Sequence, residues 1–192
     1  KNGYDSLILD DGFQDYKIKK NLNILCFNQN QLIGNGLVIP SGPLRENLSS
    51  LNDASIILIN GKKSEMFEKK ILNINNNLKI FYSYYKPINI SQFRNKKLLA
   101  IAGIGNPENF FQLVRENGLN IEKELTFPDH YQFSKAEIKN IVEKAKNKYY
   151  QIIMTEKDYF KIKDFNISTI DYLKVSLEII EKEKFIKTIA RL

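Results

Sequence analysis

Leu98-Leu99-Ala100-Ile101-Ala102-Gly103-Ile104-Gly105-Asn106-Pro107 passes from an unbroken apolar run, through a tight glycine turn, into a helix start. An apolar run without alternation suits a strand covered on both faces. Asn106 stands where a helix cap belongs, and Pro107 where the first turn tolerates a residue lacking an N–H. Phe110, Phe111 and Val114 follow at helical spacing, and Asn117-Gly118 closes the segment. A buried strand feeding directly into a helix is the repeating unit of a parallel α/β sheet. The glycines do not form a dinucleotide fingerprint, because Glu108 takes the place of the third glycine and Pro107 removes a backbone donor. Nor do they form a phosphate loop of the Lys-Ser or Lys-Thr type. They read as the geometry of the junction, with a helix N-terminus still able to receive an anion.

The same alternation extends in both directions. Ser134-Lys135-Ala136-Glu137 has capping-box spacing, followed by Ile138, Ile141, Val142 and Ala145 at helical period. Residues 151–154 read as a strand, with Thr155-Glu156-Lys157-Asp158 at its carboxyl end as a cap or as part of a site at the sheet edge. Leu173, Val175, Leu177 and Ile179 alternate as one late strand, and a lysine-rich helix follows Glu181. Upstream, strands are expected at 6–9, 22–27, 54–60 and 79–85, and a helix at 64–72. Gly34-Asn35-Gly36 marks a turn and Pro40-Ser41-Gly42-Pro43 a rigid loop. Residues 86–95 are polar and carry no long periodic segment, which places a boundary there. The expectation from these patterns is an α/β sandwich with a largely parallel sheet, divided at this stretch into an earlier and a later part.

Composition bounds the function. The chain has 192 residues, 43% hydrophobic and 27% charged, enough for a folded protein with a real core. The formal charge of +7 favours anionic partners, although the lysines are scattered and a solvated surface accounts for most of them. No aromatic-basic interleaving points to nucleic acid, and none is expected as a partner. No apolar run approaches the roughly 20 residues of a membrane-spanning helix. Cys26 is the one cysteine; it lies in the strand-like run Leu22-Asn23-Ile24-Leu25-Cys26-Phe27 and reads as buried packing in a reducing, cytoplasmic setting.

Three segments carry chemistry. Asp10-Asp11-Gly12-Phe13-Gln14 follows the apolar Leu7-Ile8-Leu9, and paired carboxylates at a strand end are a means of holding magnesium. The same pair also serves as a turn former or helix cap. In Gly42-Pro43-Leu44-Arg45-Glu46 the restricted turn presents Arg45 as a planar fork for phosphate or carboxylate, with Glu46 positioned to orient it. An ordinary surface ion pair is the plainer alternative. Phe127-Pro128-Asp129-His130 contains the one histidine, with Tyr131 and Phe133 placed to wall a pocket; a histidine of ordinary basicity can assist deprotonation of a hydroxyl.

In their order, these motifs closely resemble the tetraacyldisaccharide 4'-kinase family, from Asp5 to about Ile179: Asp-Asp-Gly-Phe-Gln, Gly-Asn-Gly, Pro-Ser-Gly-Pro-Leu-Arg-Glu, Ala-Gly-Ile-Gly-Asn-Pro-Glu-Asn-Phe-Phe, Phe-Pro-Asp-His and Thr-Glu-Lys-Asp. The resemblance implies a P-loop kinase-like fold of two α/β/α sandwich lobes, over 1–86 and 97–192, joined by a linker at 87–96, and ATP-dependent phosphorylation of the 4'-hydroxyl of a tetraacyldisaccharide 1-phosphate in lipid A biosynthesis. It implies ATP and Mg2+ as cofactors, an anionic glycolipid substrate, and peripheral contact with the cytoplasmic face of the Gram-negative inner membrane; a monomer is the favoured state. His130 and Arg45 are then the catalytic candidates, with Asp10, Asp11 and Gly12 at the nucleotide and Asp10 and Asp11 at the metal. Gln14, Asn35, Glu46 and Asp129 are the substrate-binding candidates. Lobe closure is expected to bring His130 towards Asp10, Asp11 and Arg45. Asp15 departs from the family pattern, and its role stays open. The family's phosphate loop and membrane-associating helix belong earlier, and the chain opens on Lys1, so the expectation is the later part of a longer protein, inactive alone. A magnesium-dependent NTPase or phosphatase built on Asp10-Asp11 is the alternative, ahead of a basic nucleic-acid-binding module.

Overall fold

In the computed structural model, which describes Gly3 and residues 5–190, the chain forms β1 (Ile24–Asn28), β2 (Ile56–Asn60), α1 (Glu65–Leu72), β3 (Lys79–Pro87) and β4 (Lys97–Ala102). It continues through α2 (Pro107–Glu116), β5 (Asn120–Thr126), α3 (Lys135–Lys146), β6 (Gln151–Thr155) and α4 (Glu156–Ile162), then β7 (Ile170–Leu173), β8 (Val175–Ile179) and α5 (Lys182–Ile189). These elements divide into two compact units, Lys1–Tyr84 with Glu178–Leu192 and Tyr85–Leu177.

The first unit is built on a sheet of order β1-β2-β3-β8, with β2 parallel to β1 and to β3. Its central strand explains the apolar run. Ile57 and Ile59 pack with Phe67 and Ile71 of α1, whereas Ile56 and Leu58 pack with Phe81 and, from α5, Phe185. Alternation therefore sends apolar side chains to two covered faces, which is why β2 shows no polar alternation. Ser64 caps α1 by accepting from the Phe67 N–H at 3.4 Å.

The second unit carries a parallel sheet of order β5-β4-β6-β7. Leu98, Ala100 and Ala102 of β4 meet Phe110, Phe111 and Val114 of α2 on one face, while Leu99 and Ile101 meet Ile138 and Ala145 of α3 on the other. Each fully buried Leu or Ile contributes about 1.5–3 kcal/mol relative to exposure, so the two-sided strand is the main anchor of this unit. Ser134 Oγ caps α3 by accepting from the Glu137 N–H, and Glu137 itself accepts from Tyr131 Oη, so the reciprocal half of the capping box is replaced by a tertiary bond.

Several expectations are corrected. Among the described residues, 6–9 form no strand and have no strand partner: Leu7 and Ile8 are 77% and 93% exposed, since an extended segment gains nothing from its pattern without one. The late strand is two, interrupted at Lys174. Asn106 occupies the cap position of α2 without a side-chain capping bond. Cys26 lies on the exposed face of β1, with partial burial of the thiol pushing its pKa up. Phe93, inside the expected linker, is fully buried in the core of the second unit, and the Asn89 side chain bonds to the Tyr172 carbonyl and the Lys174 N–H. Residues 178–192 belong with the first unit, where Ile180 donates to the Tyr82 carbonyl and Phe185 meets Phe81 edge-on at 5.1 Å.

Candidate active site

Asp10 and Asp11 occupy an exposed turn and not a buried strand end; Asp11 is in left-handed backbone at φ 52°. What organises this segment is Lys20, whose ammonium donates to the carbonyls of Gly12 at 2.9 Å, Phe13 at 2.9 Å and Asp15 at 2.7 Å. The Asp15 carboxylate turns back to accept from the Lys17 N–H. Three hydrogen bonds then tie this loop to residues 45 and 46. Arg45 Nη1 donates to both oxygens of Asp11, and Tyr16 Oη donates to Glu46 at 2.7 Å. Glu46 thus does not pair with Arg45, as adjacency suggested. The carboxylate of Asp11 holds the guanidinium pKa further up, and the Glu46 hydrogen bond raises that of the Tyr16 phenol. Gln14 is half-buried in the clipped loop.

Asn35 acts within its own loop. Its amide donates to the Ser41 carbonyl at 2.8 Å and its oxygen accepts from the Leu37 N–H at 3.1 Å. Gly34 and Gly36 flank it at φ 55° and 79°, a backbone that glycine adopts without steric cost. A side chain at Gly42 would strike Asn35 Oδ1 and the Leu37 carbonyl, so this loop closes around a position that only glycine fits.

The second cluster lies at the carboxyl edge of β4, β5 and β6. The Phe127 N–H bonds to the Ala102 carbonyl, carrying the chain past β5 into Asp129-His130. His130 is at φ 60°, and its N–H donates to Asp129 Oδ1 at 2.9 Å; Nε2 stands 3.7 Å from Oδ2. Lys157, in the first turn of α4, holds the same Oδ1 at 3.2 Å and is the first cause of the lowered Asp129 pKa. Tyr131 and Phe133 pack with Phe127 into one aromatic cluster. Beneath this edge Asp158 is fully buried and accepts from the Gly103 N–H at 2.7 Å, Thr155 Oγ1 at 2.7 Å and Lys161 Nζ at 2.7 Å. Thr155 in turn caps α4 through the Asp158 N–H. The Thr-Glu-Lys-Asp segment is therefore a cap and a brace together. Lys20, Tyr16 and the partnerships of Lys157 and Lys161 carried no recognisable signal in the sequence.

Asp10 and Asp11 do not, as arranged, fit a two-carboxylate magnesium site. Magnesium takes near-octahedral oxygen ligation, and both oxygens of Asp11 are engaged by Arg45. Among the described residues no group of three His, Cys, Asp or Glu side chains is placed to hold a metal.

Residues 1–192 match the family described as LpxK, tetraacyldisaccharide-1-P 4'-kinase. The chain belongs to that family. It is 39% identical over 193 residues to the tetraacyldisaccharide 4'-kinase of Pelagibacter ubique, covering 99% of this chain and 62% of that protein. The Haemophilus influenzae protein of the same name is 32% identical, covering 94% of this chain and 52% of its relative. The chain therefore spans between half and two-thirds of the length of these relatives. LpxK from Aquifex aeolicus, solved in complex with ATP, superposes with a TM-score of 0.64 at 21% identity, covering 94% of this chain and 55% of that one. The likeness shows a shared LpxK-type α/β fold.

Proposed function

We propose that the protein to which this chain belongs transfers the γ-phosphoryl group of ATP to the 4'-hydroxyl of a tetraacyldisaccharide 1-phosphate. The family match over residues 1–192 is the observation that carries this reading. Phosphoryl transfer asks for positioning and charge stabilisation more than for covalent chemistry by the protein. Arg45, steadied by Asp11, supplies a fixed cation for charge on the transferring group. His130, in the second unit, serves the acceptor hydroxyl, with Asp129 holding its backbone and facing its imidazole. Asp10 and the backbone of Gly12 support the nucleotide, and Gln14 and Glu46 border that loop. Asn35 contributes by shaping the 34–44 loop. The lysine surplus suits an anionic lipid acceptor and the anionic membrane face where it resides.

The test is radiolabelled phosphate transfer by the full-length protein. Transfer to the disaccharide that falls by orders of magnitude in His130→Ala supports the reading. ATP hydrolysis indifferent to the glycolipid would instead favour a simple NTPase.

A further inference from the structure

In the second unit, Lys123 and Leu125 alternate along the edge strand β5 opposite Leu99 and Ile101, and Phe127 continues the series. They face α3, whose Ile141 and Ala145 lie on the same side. Between strand and helix runs a groove of about 490 Å³, within the span of about 300–1,000 Å³ usual for small-molecule sites. Leu99, Leu125, Phe127, Ile141, Ala145 and Tyr150 line it, and four of these six are only half-buried.

Lys123, Lys144 and Lys148 border the groove, all three exposed and, among the described residues, none of them in an ion pair. The one acidic side chain in the lining, Glu137, accepts from Tyr131 Oη. Asn140 and Asn147 are neutral. An apolar trench alone would suit many partners, and three lysines alone would suit any polyanion. Together they select an amphiphile: the chain lies against the apolar floor, and an anionic head meets ammonium groups whose methylene stems extend the apolar wall. Phe127 belongs both to this wall and to the aromatic cluster next to Asp129-His130.

We propose that this groove holds one acyl chain of a phosphate-bearing lipid, with the phosphate met by Lys123, Lys144 and Lys148. The assignment rests on the geometry of this unit and stands apart from the kinase reading. If both hold, the chain lies beside the loop that carries His130.

The experiment is an amide-shift NMR titration of the full chain with dodecyl phosphate below its micelle concentration. Parallel titrations use dodecyl maltoside, with the same chain and a neutral head, and inorganic phosphate. Saturable shifts at Leu125, Ile141 and Tyr150 are expected with dodecyl phosphate, with dodecyl maltoside weaker by about tenfold or more, and no matching shifts with phosphate alone. The triple variant Lys123→Gln, Lys144→Gln, Lys148→Gln alters only exposed side chains and should lose the preference for dodecyl phosphate while keeping its amide spectrum. Equal binding of the two detergents, shifts centred elsewhere, the same shifts with inorganic phosphate, or an unaffected triple variant would each overturn the proposal.

Discussion

Arg45 holds Asp11 through a single nitrogen, Nη1, which stands 2.7 Å from one carboxylate oxygen and 2.6 Å from the other. Among the described residues its Nε and Nη2 make no hydrogen bond, so the guanidinium is fixed at one corner and open along the rest of its fork. A cation held in place before its ligand arrives loses less conformational freedom on binding. Tyr16 and Glu46 form a second clasp between the same two loops, which makes the orientation of Arg45 a property of both.

Because both partners are well exposed, Asp11→Asn should leave the melting temperature unchanged while releasing Arg45. In the full-length protein, turnover should then fall by about 10²–10³-fold, the range for removing one preorganised charge-stabilising donor. Arg45→Lys should behave similarly, since an ammonium cannot present a planar fork. Wild-type turnover in both variants, with folding intact, would remove Arg45 from the site.

The loop leading to Arg45 offers a separate test. A Cβ at Gly42 meets the Leu37 carbonyl, which belongs to a backbone that cannot swing aside as a flexible side chain can. Gly42→Ala should therefore displace the 35–44 loop, at an overpacking cost of about 1–3 kcal/mol. Urea denaturation measures the loss, and amide shifts at Asn35 and Leu37 locate it. A variant as stable as wild type with an unmoved loop contradicts this account.

Asp158 should behave as a buried brace. Asp158→Ala leaves the Gly103 N–H without its acceptor and strips the mostly buried Lys161 ammonium of its counter-ion. Removing one partner of a buried pair costs about 3–5 kcal/mol. Asp158→Asn keeps a shape-matched acceptor and should lose less, about 1–3 kcal/mol. Denaturant midpoints rank the two; losses below about 1 kcal/mol in both would show the brace to be dispensable.

These relationships differ in how far the sequence discloses them. The strand-turn-helix at 98–107 and the apolar run of β2 are local, and their periodicity survives in any context. Leu7-Ile8-Leu9 carries the same local pattern yet forms no strand, because pairing is a property of neighbours. β5 was hidden for the opposite reason: Glu122, Lys123 and Glu124 break its apolar pattern, as charges commonly do on edge strands. For Arg45, adjacency favoured Glu46, whereas the observed partner is Asp11, 34 residues away. The Asp-His pair was visible as a motif, but the lysine that fixes it comes from the next strand-helix junction, 28 residues on.

That lysine gives a pH-dependent test. Lys157 holds the Asp129 carboxyl below its ordinary value of 3.8 by hydrogen bonding, helped by the His130 N–H. A carboxyl whose folded pKa is depressed stabilises the fold above its unfolded pKa, and that contribution is lost as pH falls through the folded value. Lys157→Met should move the Asp129 pKa upwards, leaving the bond from His130 and the loss of solvent around the carboxyl to act in opposite directions. Carbon-13 NMR of the labelled aspartate carboxyls reads the shift directly. The stability difference between wild type and Lys157→Met should be small, because both side chains are about half exposed, and should vanish below the folded pKa of Asp129. In the full-length protein, turnover should fall in Lys157→Met and recover in Lys157→Arg, which restores a cation within reach of Asp129. An unmoved Asp129 titration would show that Lys157 does not position the Asp129-His130 loop.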